Sequence, residues 1–107
     1  MRAISDSPLE DCLVAMADET RRRILALLRD GEMNVHELTN RCVVAQPTIS
    51  HHLAILRRAR LVRARREGRQ RFYRANADCV ATCCREIQTR FGPPDVAAPR
   101  RPEREKA

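Results

Sequence analysis

Two helix-forming segments of this sequence are separated by only three residues, and this short connection constrains the fold more than any other feature. The first segment opens with a capping-box pattern, Asn34 to Glu37, and carries apolar residues at helical spacing as far as Cys42. The second opens at Gln46 with Pro47 in its first turn, a position that proline tolerates well. We therefore expect two helices joined by a tight turn.

Helical periodicity and turn signals organise the rest of the chain. They predict helices over residues 9–16, 20–29, 35–42, 46–59 or 46–60, and 77–91, with strands over 61–66 and 71–74. Asp18 and Asn76 are the expected N-caps of the second and last helices. Gly31 is expected to end the second helix in a left-handed conformation, and Phe72 is expected in the core.

The predicted order is therefore α-α-α-α-β-β-α, a mainly α protein with a small β-hairpin (α+β). Two helices joined by a tight turn and followed by a basic hairpin describe a winged helix-turn-helix. At 107 residues the chain has room for one domain, which we expect over residues 1–91. Residues 92–107 follow the stop signal at Gly92 and are expected to form a disordered tail.

Positive charge is concentrated in one stretch of the sequence. The whole chain has a net charge of +7, yet residues 57–74 alone contain nine arginines and one acidic residue, Glu67. A local basic patch of this kind favours a polyanionic partner. An arginine-rich composition without specific meaning is the alternative, but it would spread the charge more evenly.

The helix that begins at Gln46 has the side chains expected of a DNA-recognition helix. Ile49, Leu53 and Leu56 form its buried stripe, whereas short polar groups that can bond base edges lie on the other side. The expected DNA-binding residues are Gln46, Thr48, Ser50, His51, His52, Arg57, Arg69 and Arg71. Within this set, His52 is expected to be structural or to contact phosphate, and the hairpin arginines to contact phosphate or the minor groove.

Three separated motifs resemble the ArsR/SmtB family of arsenic- and metal-responsive repressors. They are the runs Ala17 to Leu25 (ADETRRRIL), Gln46 to Leu53 (QPTISHHL) and Glu67 to Arg69 (EGR). The resemblance covers about residues 9–91. It implies a homodimer formed through the first and last helices, a double-stranded operator, and release from that operator by an effector.

The turn before Gln46 departs from the family pattern, which usually has glycine, an aliphatic residue and serine there. This chain has Val43, Val44 and Ala45 instead. A β-branched residue in the left-handed conformation costs roughly 1–2 kcal/mol. Ala45 cannot cap the following helix, a loss of about 1 kcal/mol. We expect the turn to persist in a slightly altered form.

Five cysteines raise the question of sensing. Their number is odd, and no apolar leader or membrane-length apolar run is present, so we expect a cytoplasmic protein without a disulfide framework. The family's Cys-x-Cys arsenic site on the third helix is absent. Only Asp78 echoes its zinc site on the last helix. The remaining candidates are Cys79, Cys83 and Cys84 on the last helix and Cys12 on the first.

Several roles for these cysteines remain open at this stage. Thiolates are soft ligands that suit As(III) or another thiophilic ion as an effector, and no cofactor is otherwise required. A dithiol redox or persulfide switch is a second option, and a regulator without any effector is a third. The last-helix cysteines also lie on an apolar stripe, where cysteine is an ordinary packing residue.

Other function classes fit the sequence less well. A thiol enzyme would need a Cys-x-x-Cys pair or a nearby histidine, and neither is present, so we expect no enzyme. An architectural or RNA-binding protein could use the arginine patch without reading sequence. Single-strand binding would however need aromatic platforms, and only Phe72 and Tyr73 lie near the patch.

Overall fold

The structure is a computed structural model that describes residues 8–93. Five helices and three short strands follow one another along these residues. Their bounds are α1 Pro8–Met16, α2 Glu19–Asp30, β1 Met33–Asn34, α3 Val35–Cys42, α4 Gln46–Arg58, β2 Val62–Glu67, β3 Gln70–Ala75 and α5 Ala77–Phe91. Apart from Gly92 and Pro93, the tail expected after residue 91 lies outside the described residues.

The order of elements confirms the winged helix-turn-helix, with one strand that the sequence did not predict. Strand β1 pairs antiparallel with β3, placing Met33 opposite Tyr73 and Asn34 opposite Phe72. The sheet therefore has three strands in the order β1-β3-β2. A strand of two residues has no periodicity that a sequence pattern could reveal. Its pairing joins the sheet to the start of α3.

Side-chain caps begin three of the helices, as predicted. Asp18 accepts a hydrogen bond from the Arg21 amide at 3.0 Å, and Asn76 accepts one from the Cys79 amide at 3.5 Å. Asn34 and Glu37 form the reciprocal capping box at the start of α3. The left-handed conformation expected of Gly31 is wrong. Its φ of 173° is extended, because the chain passes directly from α2 into β1.

The core lies between the helices and the inner face of the sheet. The predicted stripe of α4 is confirmed, since Ile49, Leu53 and Leu56 are almost fully buried. The expectation for Phe72 is wrong: it lies on the outer face of β3 and is half-buried. Its neighbour Tyr73 is the aromatic residue of the core, because successive residues of a strand point to opposite faces.

The turn between α3 and α4 has the backbone that the departure from the family pattern implies. Val43 adopts the left-handed conformation, with φ 55° and ψ 47°, and its side chain is exposed. Ala45 stands at the N-cap of α4 without a side-chain hydrogen bond. Among residues 8–93, no helix has both the length and the apolar character needed to cross a membrane.

Candidate nucleic-acid interface

Helix α4 presents a polar face to solvent along its whole length. Its first turn is fixed by the amides of Thr48 and Ile49, which both donate to the Ala45 carbonyl. Gln46, Ser50 and Arg57 are spaced by four and seven residues, so they follow one side of the helix. The expected DNA contacts on α4 that the structure leaves exposed are Gln46, Thr48, Ser50, His51 and Arg57.

The hairpin of β2 and β3 projects further positive charge. Its loop has two residues, Gly68 and Arg69, and Gly68 has a φ of 64°. Positive φ at the first loop residue alone is the pattern of a type II′ turn, which matches the twist of a hairpin. Arg69 at the tip and Arg71 on β3 are both exposed. Within residues 8–93, neither forms an ion pair.

One arginine of the patch is neutralised by its neighbours. Arg65 donates to both carboxylate oxygens of Glu32, at 2.8 and 2.9 Å, and to Glu67 at 2.9 Å. Its guanidinium carbon also lies 4.9 Å from the centre of the Phe72 ring. The hydrogen bonds to Glu32 and Glu67 raise the pKa of Arg65 further above its ordinary value, and the one to Glu32 lowers the pKa of that carboxyl. The charge available to a polyanion is therefore smaller than the sequence suggests.

His52 lies inside the fold rather than on the polar face of α4. It is 9% exposed, and its Nδ1 lies 3.1 Å from Nη1 of Arg21. Its Nε2 lies 3.9 Å from a carboxylate oxygen of Asp18. Of the two roles expected for His52, this geometry supports the structural one, because the ring makes its contacts within the protein and not on the exposed face of α4.

Arg21 is a buried residue that the sequence analysis overlooked. The signal was present, because Arg21 precedes Ile24, Leu25 and Leu28 by three, four and seven residues, the spacing of one helical face. All four are buried in α2. The run of three arginines concealed this phase, since only Arg22 and Arg23 lie on the solvent side.

Two of the candidate cysteines meet between the first and last helices. Cys12 of α1 and Cys83 of α5 are joined as a disulfide, with their Cα atoms 6.2 Å apart. Both are almost fully buried. The expectation that the chain forms no disulfide framework did not anticipate this pair. The sequence had indicated only that Cys12 and the last helix could approach each other.

A cavity of about 530 Å³ lies beside this pair, between α1, the end of α4 and α5. Cys79 lines it together with Cys12 and Cys83, and the Cys79 sulfur accepts a hydrogen bond from the Asn76 amide group at 3.1 Å. Leu9, Asp11, Arg58, Ala59, Arg60, Leu61, Thr82 and Glu86 complete the lining. The cavity therefore combines sulfur with charged groups of both signs.

The remaining cysteines lie elsewhere. Cys84 is exposed and does not line the cavity, so three of the four candidate ligands line one cavity and the fourth lies outside it. Cys42 is half-buried in α3, where burial raises the pKa of its thiol. In the described range 8–93, no three His, Cys, Asp or Glu side chains converge closely enough to form a metal site.

Comparison with known proteins identifies the family. Residues 18–64 match the model of the arsR family of bacterial regulatory proteins. The regulator KmtR of Mycobacterium tuberculosis is 48% identical over 81 residues, which are 68% of this chain and 62% of KmtR. The repressor SdpR of Bacillus subtilis is 39% identical over 62 residues, which are 58% of this chain and 69% of SdpR.

A crystal structure of a possible transcriptional regulator for arsenical resistance has the same fold. It is 34% identical, with a TM-score of 0.70 over 76% of this chain and 84% of that chain. The chain belongs to the ArsR family. The resemblance of the three motifs is thereby confirmed, and so is the expectation that this domain is of the regulatory class and not an enzyme domain. The chain spans less than two thirds of the length of KmtR.

This ArsR-family domain lacks the Cys-x-Cys pair on α3 that the family resemblance associates with an arsenic site. Helix α3 reads VHELTNRC and holds its single cysteine, Cys42, in the last position. On α5, Asp78 is exposed in the first turn. In the described part of this ArsR-family chain, the cysteines that line one cavity are Cys12, Cys79 and Cys83.

Proposed function

We propose that this chain is a sequence-specific DNA-binding repressor that reads a double-stranded operator with α4 and contacts phosphates with its hairpin. The observation that carries the proposal is the exposure of Gln46, Thr48, Ser50 and His51 at the start of a helix whose other face is buried. Short polar groups in this position suit base edges in the major groove. Arg57, Arg69 and Arg71 add exposed positive charge.

A duplex suits this surface better than a single strand. Single-strand readers stack bases on exposed aromatic rings. Here Tyr73 is buried, and Arg65 covers the ring of Phe72. A sequence-blind architectural role would use the arginines alone and would leave the polar tip of α4 without a purpose.

The proposal includes a homodimer formed through α1 and α5. Both helices carry a large apolar side chain in solvent: Val14 is 52% exposed and Phe91 is 64% exposed. Two copies joined there would present two α4 helices, which suits a palindromic operator. Light scattering should report a dimer, and Phe91→Glu should weaken it because a charge replaces apolar surface.

Selection of duplexes from a random-sequence library tests the reading of DNA. The wild-type protein should enrich one motif, and binding should weaken steeply with salt because each phosphate contact contributes a slope of about −0.9. The double variant Ser50→Ala, His51→Ala should lose affinity for that motif far more than for unrelated duplex. Equal losses on both duplexes would favour the architectural alternative.

We further propose that a thiophilic effector releases the DNA by acting on Cys12, Cys79 and Cys83. Reduction of the Cys12–Cys83 pair would supply two thiolates, and Cys79 lines the same cavity. Three sulfur donors suit As(III). The similar structure described as a possible transcriptional regulator for arsenical resistance supports this choice. The cavity lies outside the face of α4 that carries the proposed DNA contacts, so release would have to act through the packing of α1, α4 and α5.

Oxidation is the second candidate, and the Cys12–Cys83 pair favours it. Two thiols would lose two electrons and two protons to a hydroperoxide or to a disulfide, and the bond formed would join α1 to α5. Arsenite binding and oxidation differ in whether they require Cys79. Only a three-sulfur site needs Cys79.

Titration of the reduced protein bound to its selected duplex separates these candidates. Arsenite, zinc, cadmium, a persulfide donor and a hydroperoxide are added in turn, and dissociation is followed by fluorescence anisotropy. Cys83→Ser should abolish either response. Cys79→Ser should abolish only the arsenite response, and the exposed Cys84→Ser is the matched control. Release by arsenite that survives Cys12→Ser and Cys83→Ser would overturn the site.

A further inference from the structure

The Arg21 side chain makes three polar contacts inside the protein. Its Nε donates to the carbonyl oxygen of Ala15 at 2.8 Å, and its Nη2 donates to that of Val14 at 2.9 Å. Its Nη1 lies 3.1 Å from Nδ1 of His52. A buried guanidinium must satisfy its donors within the fold. Each of these contacts therefore has a structural consequence.

The first consequence concerns the end of α1. The last carbonyls of a helix have no partner within it and are satisfied by a following cap or by a cation. The last turn of α1 contains no basic residue. Arg21, carried by α2, donates to the carbonyl of Ala15 and adds a second donor to that of Val14, which also accepts from the Ala17 amide at 3.3 Å. It therefore ties the end of α1 to α2.

The second consequence concerns the protonation of His52. Arginine is protonated at any working pH and can only donate, so Nδ1 of His52 must accept. The ring is therefore neutral, with its proton on Nε2, the nitrogen that faces Asp18 at 3.9 Å. The contact with Arg21 would be lost if Nδ1 were protonated.

The third consequence concerns the recognition helix. His52 is the contact between Arg21 and α4, and it follows Ser50 and His51 directly in sequence. A helix moves as a rigid element, so a shift at His52 displaces the two neighbouring side chains proposed to read bases. Base contacts tolerate little displacement because they are short and directional.

We propose that Arg21 is a positioning residue for DNA binding: it holds the recognition helix in its reading orientation by donating to neutral His52 while it caps α1. The inference rests on the proposed function, since it concerns the same helix and the same duplex. Arg21 itself is buried and reaches no DNA. Its effect passes entirely through His52.

Acidification supplies a readout that a general loss of stability would not reproduce. Protonated His52 could not accept from Arg21 and would place a second cation beside it. Three charged or titratable groups act on His52. Burial lowers its pKa first, the Asp18 carboxylate raises it, and Arg21 and the neighbouring His51 lower it. DNA affinity is therefore expected to be constant at neutral pH and to fall on acidification.

The test uses the full chain and the duplex that the wild-type protein selects from a random library. Arg21→Met should weaken binding about tenfold, because the lost contact lets α4 move. Arg22→Met is the matched control. It removes an adjacent charge and a bond to the Met16 carbonyl from an exposed side chain, and it leaves α4 untouched. We expect it to change affinity less than twofold, within about 0.4 kcal/mol.

Two variants of His52 separate positioning from folding. His52→Asn places a carboxamide oxygen near the position of Nδ1, so it keeps an acceptor for Arg21 and cannot be protonated; it should retain neutral-pH affinity and lose the acid-side decline. His52→Leu removes the acceptor and should bind as weakly as Arg21→Met. Affinities at neutral pH are compared in the otherwise wild-type chain. Each pH series is repeated in the His51→Gln background and referred to that background's own neutral-pH affinity, because protonation of exposed His51 would by itself alter attraction to DNA.

The outcomes divide cleanly. Equal effects of Arg21→Met and Arg22→Met, or equal binding by the two His52 variants, would overturn the inference. So would histidine nitrogen chemical shifts that place the proton on Nδ1 of His52 at neutral pH. If Arg21→Met proves unfolded by circular dichroism, the His52 pair decides alone. Failure of the wild-type protein to select any duplex would instead refute the proposed function.

Discussion

The amide of Val43 donates to the carbonyl of Thr39 at 2.9 Å, although Val43 itself lies in the left-handed conformation. This bond ends α3 in the way that glycine usually does. A β-branched residue is strained in this conformation. Because Val43 is 84% exposed, its side chain gains little packing against the protein that could offset the strain. Substitutions in the turn between α3 and α4 could therefore increase the free energy of unfolding.

Val43→Gly should stabilise the protein. Relief of the left-handed strain is worth roughly 1–2 kcal/mol, and the greater freedom of glycine in the unfolded chain offsets about half of it. We expect a net gain of about 0.5–1 kcal/mol in the free energy of unfolding, measured with urea. Val44→Gly is the control, since Val44 is half-buried and has no positive φ, and it should destabilise. A lower free energy of unfolding in both variants would contradict the prediction that Val43 is strained.

Ala45→Ser should stabilise the start of the recognition helix by about 1 kcal/mol. Ala45 has extended backbone angles suited to an N-cap, but it has no side-chain oxygen to offer. Pro47 has no amide hydrogen, so a serine hydroxyl would accept from the Thr48 amide. Thermal unfolding reports the gain. Ala54→Ser, on the exposed face of the same helix, should be neutral or slightly destabilising.

Arg65 and Arg69 should differ in their contribution to DNA affinity, although a sequence pattern treats them alike. Arg65 is held by Glu32 and Glu67, whereas Arg69 at the hairpin tip forms no ion pair with any residue between 8 and 93. Arg69→Ala should weaken binding to every duplex and reduce the salt slope by about one. Arg65→Ala should leave the slope nearly unchanged. A larger effect of Arg65→Ala would mean that its ion pairs open on DNA.

Sequence periodicity was sufficient wherever a single element defines its own pattern. The apolar stripe of α4 and the caps at Asp18 and Asn76 each follow from residues close together in the chain. These features arise from local geometry, so a local pattern contains them. The exposed face of α4 follows in turn, because a buried stripe leaves the opposite side in solvent.

Contacts between distant segments were not accessible in the same way. The hydrogen bond between Arg21 and His52 joins residues 31 positions apart, and the paired Cys12 and Cys83 are 71 positions apart. The sequence around one member of each pair does not indicate which distant residue it will contact. Arg65 looked like part of a uniform basic patch until its pairing with Glu32, across the sheet, removed its free charge.

Acid should weaken the fold through Glu32, because the hydrogen bond from Arg65 holds the pKa of its carboxyl below the ordinary value of 4.5. In the unfolded chain this carboxyl takes up a proton at a higher pH than in the folded protein. Its contribution is therefore fully present above about pH 4.5 and is lost as the pH falls through the lower folded value. Urea unfolding between pH 3 and 6 should show a decline that Glu32→Gln makes shallower. Glu19→Gln on the exposed start of α2 is the control; an equal change there would refute this assignment.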